Sequence, residues 1–145
     1  MKKSILATFV LLVLLHLGAL AQSSDDTAEF KTYFQSYFKS YNQTPSETLR
    51  KGSVSDYQML GGDGIWRTLD ATCQLFSSVK NFYSRIEDEK YRVYGSNTAV
   101  VTGTTNWGYE PVNGNKYDGK ALFTYVFTKT SNGWKQVSGH HIDLK

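Results

Sequence analysis

The residues best suited to carry chemistry lie near the C-terminus, where His140 and His141 stand side by side. An imidazole titrates near neutrality and can serve as general base, hydrogen-bond partner or metal ligand. Adjacent residues on a strand leave opposite faces, so the pair cannot close on one metal ion without distortion. The only cysteine is Cys73, and His16 lies in an apolar leader. That donor set is too small for an ordinary zinc site. No metal and no cofactor are therefore expected. Asp56 is the acid of interest, because a carboxylate held beside an aromatic cavity has a raised pKa and can move protons. Asp56 and His140 are thus the candidate proton carriers. The chain lacks a G-x-S-x-G elbow. Gly61-Gly62-Asp63-Gly64 lacks the Walker spacing and is too short for a dinucleotide fingerprint, so it reads as a turn. Cys73 reads as a small buried hydrophobe, with nothing in sequence nearby to lower its pKa. Glu87-Asp88-Glu89 reads as a solvated edge, and Asn42-Gln43-Thr44 fits a glycosylation sequon.

Helices and strands must position these groups. Phe30, Tyr33, Phe34, Tyr37, Phe38 and Tyr41 fall at i, i+3, i+4, i+7, i+8 and i+11, the apolar face of a helix over 27–41. A short helix is expected at 46–51, a brief strand at 56–60, and a helix from Thr68 or Asp70 to about 78. Strands follow over 81–94, 98–109, 117–129 and 134–144, rich in Val, Thr and aromatics. Asn113-Gly114 and Asn132-Gly133 are hairpin signals. Alternation in the last strand groups Trp134, Gln136, Ser138, His140 and Ile142 on one face. Lys135 and Asp143 on the other face mark it as the wetter side, so His140 is the inward histidine if no bulge intervenes.

Lys2 and Lys3, an apolar run over 5–17 and Ala19-Leu20-Ala21 form the three-part pattern of a secretory signal peptide over 1–21. The run is shorter than the roughly 20 residues of a spanning helix. A secreted or periplasmic location follows, with residues 22–27 as a flexible lead-in and one domain over 28–145. The whole chain carries 16 Lys+Arg against 13 Asp+Glu. With the leader lysines set aside, 14 bases face those 13 acids. A near-neutral chain lacks the footprint of a nucleic-acid binder or of a membrane-surface protein. One cysteine allows no internal disulfide. The core must rest on packing, and 20 of the 124 residues after the leader are Phe, Tyr or Trp.

Gly119-Lys120-Ala121-Leu122-Phe123-Thr124-Tyr125-Val126-Phe127 resembles the penultimate strand of the nuclear transport factor 2-like superfamily. Asn132-Gly133-Trp134-Lys135 followed by His140-His141 resembles its closing strand. The closest likeness is to the SnoaL-like and calcium/calmodulin-kinase association-domain-like branches. The resemblance implies an α+β fold: a cone-shaped, curved antiparallel sheet of about four long strands plus short ones, wrapped around about three helices. It also implies a pocket at the wide end and a homodimer through the outer sheet face. Relatives include isomerases, cyclases, dehydratases and noncatalytic modules, so fold alone does not decide function.

Three readings stay open. The first is an exported domain binding a small apolar or aromatic molecule, with Tyr37, Tyr57, Trp66, Trp107, Tyr125 and His140 around the ligand. The second is a proton-transfer enzyme of isomerase, dehydratase or cyclase type in the same pocket, using Asp56 or His140. The third is a noncatalytic dimeric interaction module.

Overall fold

The computed structural model describes residues 24–112 and 114–145. Residues 1–23 and Asn113 lie outside the described residues, and with them the signal peptide and cleavage site expected from the sequence and part of the first Asn-Gly turn. The element order is α1 (Ser24–Gln43), α2 (Pro45–Gly52), β1 (Ser53–Leu60), β2 (Trp66–Thr68), α3 (Leu69–Ser77), β3 (Val79–Tyr94), β4 (Thr98–Pro111), β5 (Tyr117–Thr130) and β6 (Gly133–Leu144). Helix α1 takes in residues 24–27, expected as a flexible lead-in. Asp25 and Asp26 in its first turn suit the positive end of the helix dipole. Among the described residues, no helix is long and apolar enough to cross a membrane.

The strands form one curved, unclosed sheet in the order β2-β1-β6-β5-β4-β3. β3 to β6 make the expected antiparallel meander, and β1 joins β6 in parallel. The three-residue β2, which has no periodic signal of its own, pairs with the end of β1. In the β5–β6 hairpin, Gly133 takes the left-handed φ of 89° and Asn132 does not. The glycine therefore follows the central pair of the turn rather than sitting within it. The curvature of β3 coincides with two register shifts. Near them, Asn81 and Asp88 adopt φ of 50° and 54°. Bulges of this kind bend an edge strand and increase its twist.

The aromatic face of α1 lies on the concave side of this sheet. Phe30, Phe34, Tyr37 and Tyr41 are buried, and Tyr33 and Phe38 pack half-buried beside them. Phe127 from β5 meets four of these rings edge-on, at centroid distances of 5.3 Å to Phe30, 6.0 Å to Tyr33, 5.9 Å to Phe34 and 5.6 Å to Tyr37. A second cluster joins the end of α1 to α2, α3 and β1 through Tyr41, Leu49, Tyr57 and Cys73. Cys73 is buried as expected, and its thiol pKa is pushed up by that burial. Ser46 Oγ donates to the Cys73 carbonyl at 2.9 Å and ties α2 to α3. Asn42 is half-buried. Its amide donates to the Phe38 carbonyl at 3.3 Å, and its Oδ1 accepts from the Ser84 backbone N–H at 2.6 Å. The sequon asparagine thus latches α1 to the edge strand β3.

Candidate functional site

The phase of β6 decides which histidine faces inward. Phe127 pairs with Gln136, but Val126 pairs with Ser138, so Val137 is an extra residue inserted in the strand. One extra residue inverts the alternation beyond it. Trp134 and Gln136 face the core before the bulge. Gly139, His141 and Asp143 take the inner face after it, opposite Tyr125, Phe123 and Ala121. His140 pairs with Thr124 on the outer face. The expectation of an inward His140 is therefore corrected to His141. Gly139 is the sequence signal for this shift, since a lone glycine inside a strand marks a bulge or a close backbone approach. A Cβ there would stand 3.2 Å from the Tyr125 ring.

Two spaces lie along the inner face of β6. Between Tyr37, Tyr57, Tyr125, Leu49 and Gln136 only about 10 Å³ remains, room for one water at most. Tyr37 Oη donates to Gln136 Oε1 at 2.7 Å, and the Gln136 amide donates to the Ser138 carbonyl at 3.2 Å. Burial raises the hydroxyl pKa of Tyr37, Tyr57 and Tyr125 far above neutrality, so all three are neutral phenols. They plug the deep part of the fold.

A cavity of about 210 Å³ opens at one end of the sheet. Its apolar walls are Phe76 from α3, Phe82 from β3, and Trp107 and Tyr109 from β4. Trp107 and Tyr109, two residues apart on one strand face, stack at 5.8 Å with 15° between their planes. Trp107 lies across Gly119 of β5, where a Cβ would come within 2.9 Å of the indole. Glycine at 119 is thus what lets the indole lie flat along the wall.

Beside Thr72 and Ser84, the polar lining holds His141, Asp143, Asp63 and Arg67. The β1–β2 turn brings in the last two. Gly61 N–H donates to the Ile65 carbonyl at 3.1 Å, and Asp63 Oδ1 accepts from the Ile65 N–H at 3.1 Å. Arg67 grips both Asp63 oxygens, at 2.9 Å through Nη1, and Nη1 also donates to the Ile65 carbonyl at 3.2 Å. The guanidinium holds the Asp63 carboxyl down at about 2. Gly62 passes so close to the Asp143 carboxylate that a Cβ would collide with it. His141 Nε2 lies 2.6 Å from the Tyr125 hydroxyl. Burial, helped by repulsion from His140, pushes the His141 imidazolium pKa down to about 4. His141 is therefore neutral at pH 7, and a single hydrogen bond joins it to the neutral Tyr125.

Of the residues expected around a ligand, Trp107 lines this cavity directly, and Tyr125 reaches it through His141. Tyr37 and Tyr57 lie in the plugged interior. Trp66 is 62 % exposed and outside the lining. Asp56 is exposed on β1, and its neighbour Tyr57 takes the inner face. Asp56, Trp66 and His140 are therefore not brought together with the others. His141 and Asp143 stand on the face expected to be the wetter one, and neither they nor the Asp63–Arg67 pair carried an expected role in the site. Among the described residues, no three His, Cys, Asp or Glu side chains gather as a metal site would require.

The comparisons agree with this architecture. No curated protein matches the chain. An NTF2-like protein of unknown function in nutrient uptake from Rhodospirillum rubrum superimposes with a TM-score of 0.69 at 18 % identity, covering 79 % of this chain and 98 % of its own. A calcium/calmodulin-dependent kinase II association-domain candidate from Exiguobacterium sibiricum gives 0.71 at 14 % identity, covering 80 % and 91 %. A dehydratase candidate of the NTF2-like family from Streptomyces avermitilis gives 0.70 at 17 % identity, covering 83 % and 97 %. At such identities these likenesses establish the fold. The SnoaL-like domain profile matches residues 34–141, which spans both the aromatic helix and the closing strand with His141, and the chain belongs to the SnoaL-like domain family of the nuclear transport factor 2-like superfamily.

Proposed function

We propose that the protein binds a small, one-ring organic molecule in the 210 Å³ cavity. The fold is one that supports ligand-binding and dehydratase-type domains alike. The observation that favours binding is the protonation state of the polar lining. A general base works best with a pKa near the operating pH. His141 is displaced to about 4, and Asp63 to about 2 and spent on Arg67. Both suit fixed recognition of a ligand better than proton traffic at pH 7. A dry apolar cavity of about 150 Å³ already admits benzene, so 210 Å³ between aromatic walls suits a substituted ring. The three tryptophans make the test local. On titration with p-cresol, the indole N–H resonance of Trp107 shifts. Those of buried Trp134 and exposed Trp66 hold still. No shift at millimolar p-cresol, or equal shifts at all three, would count against the cavity as the site.

A second reading, a homodimer through the outer sheet face, rests on Leu122 and Ile142. They pair across β5 and β6 on that face and are 46 % and 50 % exposed. Exposed apolar side chains paired across the two central strands of the sheet suit a partner surface. Sedimentation of the wild type gives a dimer mass in this reading, and Leu122→Lys gives a monomer with unchanged far-UV circular dichroism. A wild type that sediments as a monomer at tens of micromolar rejects it.

A further inference from the structure

We propose that the ligand class is a protonated aromatic amine, its ring between Trp107, Tyr109, Phe76 and Phe82 and its ammonium group on Asp143. The inference rests on the cavity being the binding site and deepens that reading.

The charges around the cavity carry it. Arg67 is the cation of the lining, and its guanidinium is engaged by both oxygens of Asp63 and by the Ile65 carbonyl. That pair is neutral as a unit and leaves no free cation for an anionic ligand. His141 is an uncharged imidazole at pH 7, and burial raises the pKa of the lining Tyr41 hydroxyl well above its ordinary value. Asp143 remains. It stands on the inner face at the end of β6, packs against the bare backbone of Gly62, and makes no hydrogen bond or ion pair in the described residues. The cavity thus holds one uncompensated negative charge at its mouth and electron-rich aromatic faces within.

Each part of an arylalkyl ammonium ion finds a complement there. The ring buries apolar surface against four aromatic side chains. The ammonium group lies at the wet mouth, where its desolvation cost is small, beside a carboxylate whose position is set by Gly62. Trp107 and Tyr109 present stacked π-faces that attract a cation within about 6 Å. A neutral His141 adds no repulsion and offers a hydrogen-bonding nitrogen. A carboxylate ligand of the same size meets Asp143 and no free cation. An exposed ion pair and one cation–π contact together amount to about a tenfold preference for the amine over an uncharged isostere.

The test uses benzylamine, benzyl alcohol and benzoate on the same protein at pH 7, read from the Trp107 indole N–H. Benzylamine is expected to bind about tenfold more tightly than benzyl alcohol, with benzoate weakest. Asp143→Asn, an exposed isosteric change, is expected to keep the wild-type melting temperature and bring benzylamine down to the benzyl alcohol level. Equal affinity for benzylamine and benzyl alcohol overturns the amine assignment and leaves the cavity reading standing. Tighter benzoate overturns it also. A benzylamine preference that survives Asp143→Asn removes the carboxylate from the site and with it this proposal. Binding of none of the three rejects both the amine and the cavity.

Discussion

Acidification from pH 7 to pH 4 is expected to cost the fold up to about 3 kcal/mol through His141 alone. Its pKa in the folded protein is about 4, against an ordinary value of 6.5. The unfolded chain therefore binds a proton at a pH where the folded chain refuses it. Stability is fully present above about pH 6.5 and is lost as the pH falls through the folded value. A shift of this size converts at about 1.4 kcal/mol per pH unit. The acidic groups whose pKa is lowered lose their contribution at lower pH. Lys129 holds Glu29 down, Lys51 holds Glu47, Lys120 holds Glu87, and Arg67 holds Asp63 at about 2. The window between pH 6.5 and 4.5 is thus dominated by one imidazole. Urea unfolding at a series of pH values should show stability rising with pH across that window. His141→Gln, whose amide can hydrogen-bond the Tyr125 hydroxyl without titrating, should flatten it. A variant with the wild-type slope would show that His141 is not the titrating group.

Phe127→Ala is expected to destabilise the fold by about 3–5 kcal/mol, a large part of the 5–15 kcal/mol that holds an ordinary domain. Phe127 is fully buried and touches four rings of the α1 stripe, so its removal leaves a cavity beneath helix α1. The rings around it are themselves fixed by packing and by hydrogen bonds. Tyr33 Oη donates to the Trp134 carbonyl at 2.8 Å, and Tyr37 Oη to Gln136. Such neighbours collapse poorly into a void, which places the loss in the upper part of the range. Chemical denaturation of Phe127→Ala beside Phe127→Leu measures it. A loss under 1 kcal/mol for the alanine variant would mean that helix α1 is not docked through this ring.

The family was legible because Gly119–Phe127 and Asn132–Lys135 with His140-His141 resemble its last two strands, and the elements were legible because they rest on local periodicity. Six aromatic residues at helical spacing require one long amphipathic helix, and the turn signals after residue 94 divide the rest into hairpin-linked strands. Each of those signals is read within a dozen residues. The strand over 134–144 was legible as an element, and its facing was not. Alternation is a parity argument, and the one extra residue at Val137 reverses it for everything downstream. That is why His140 was expected inward and His141 is found there. Asp143 misled for a related reason. A charged side chain ordinarily marks the wet face, but at the open end of this sheet the inner face is wet too.

The sequence by itself determined the elements apart from β2, their order, the aromatic core and the near-neutral charge of residues 22–145. Those follow from residue types and short-range spacing. Only the tertiary structure decided where the free space lies. Tyr37, Tyr57 and Tyr125 fill the depth of the fold, because they converge from α1, β1 and β5, which are far apart in the chain. The cavity lies beyond them, bounded by the turn at residues 61–67, helix α3 and the ends of β4 and β6. Which of the two histidines borders it, and which carboxylate is left unpaired at its mouth, depends on a bulge and on a bidentate Arg67–Asp63 grip. Both are contacts between chain segments, and neither leaves a periodic trace in the sequence.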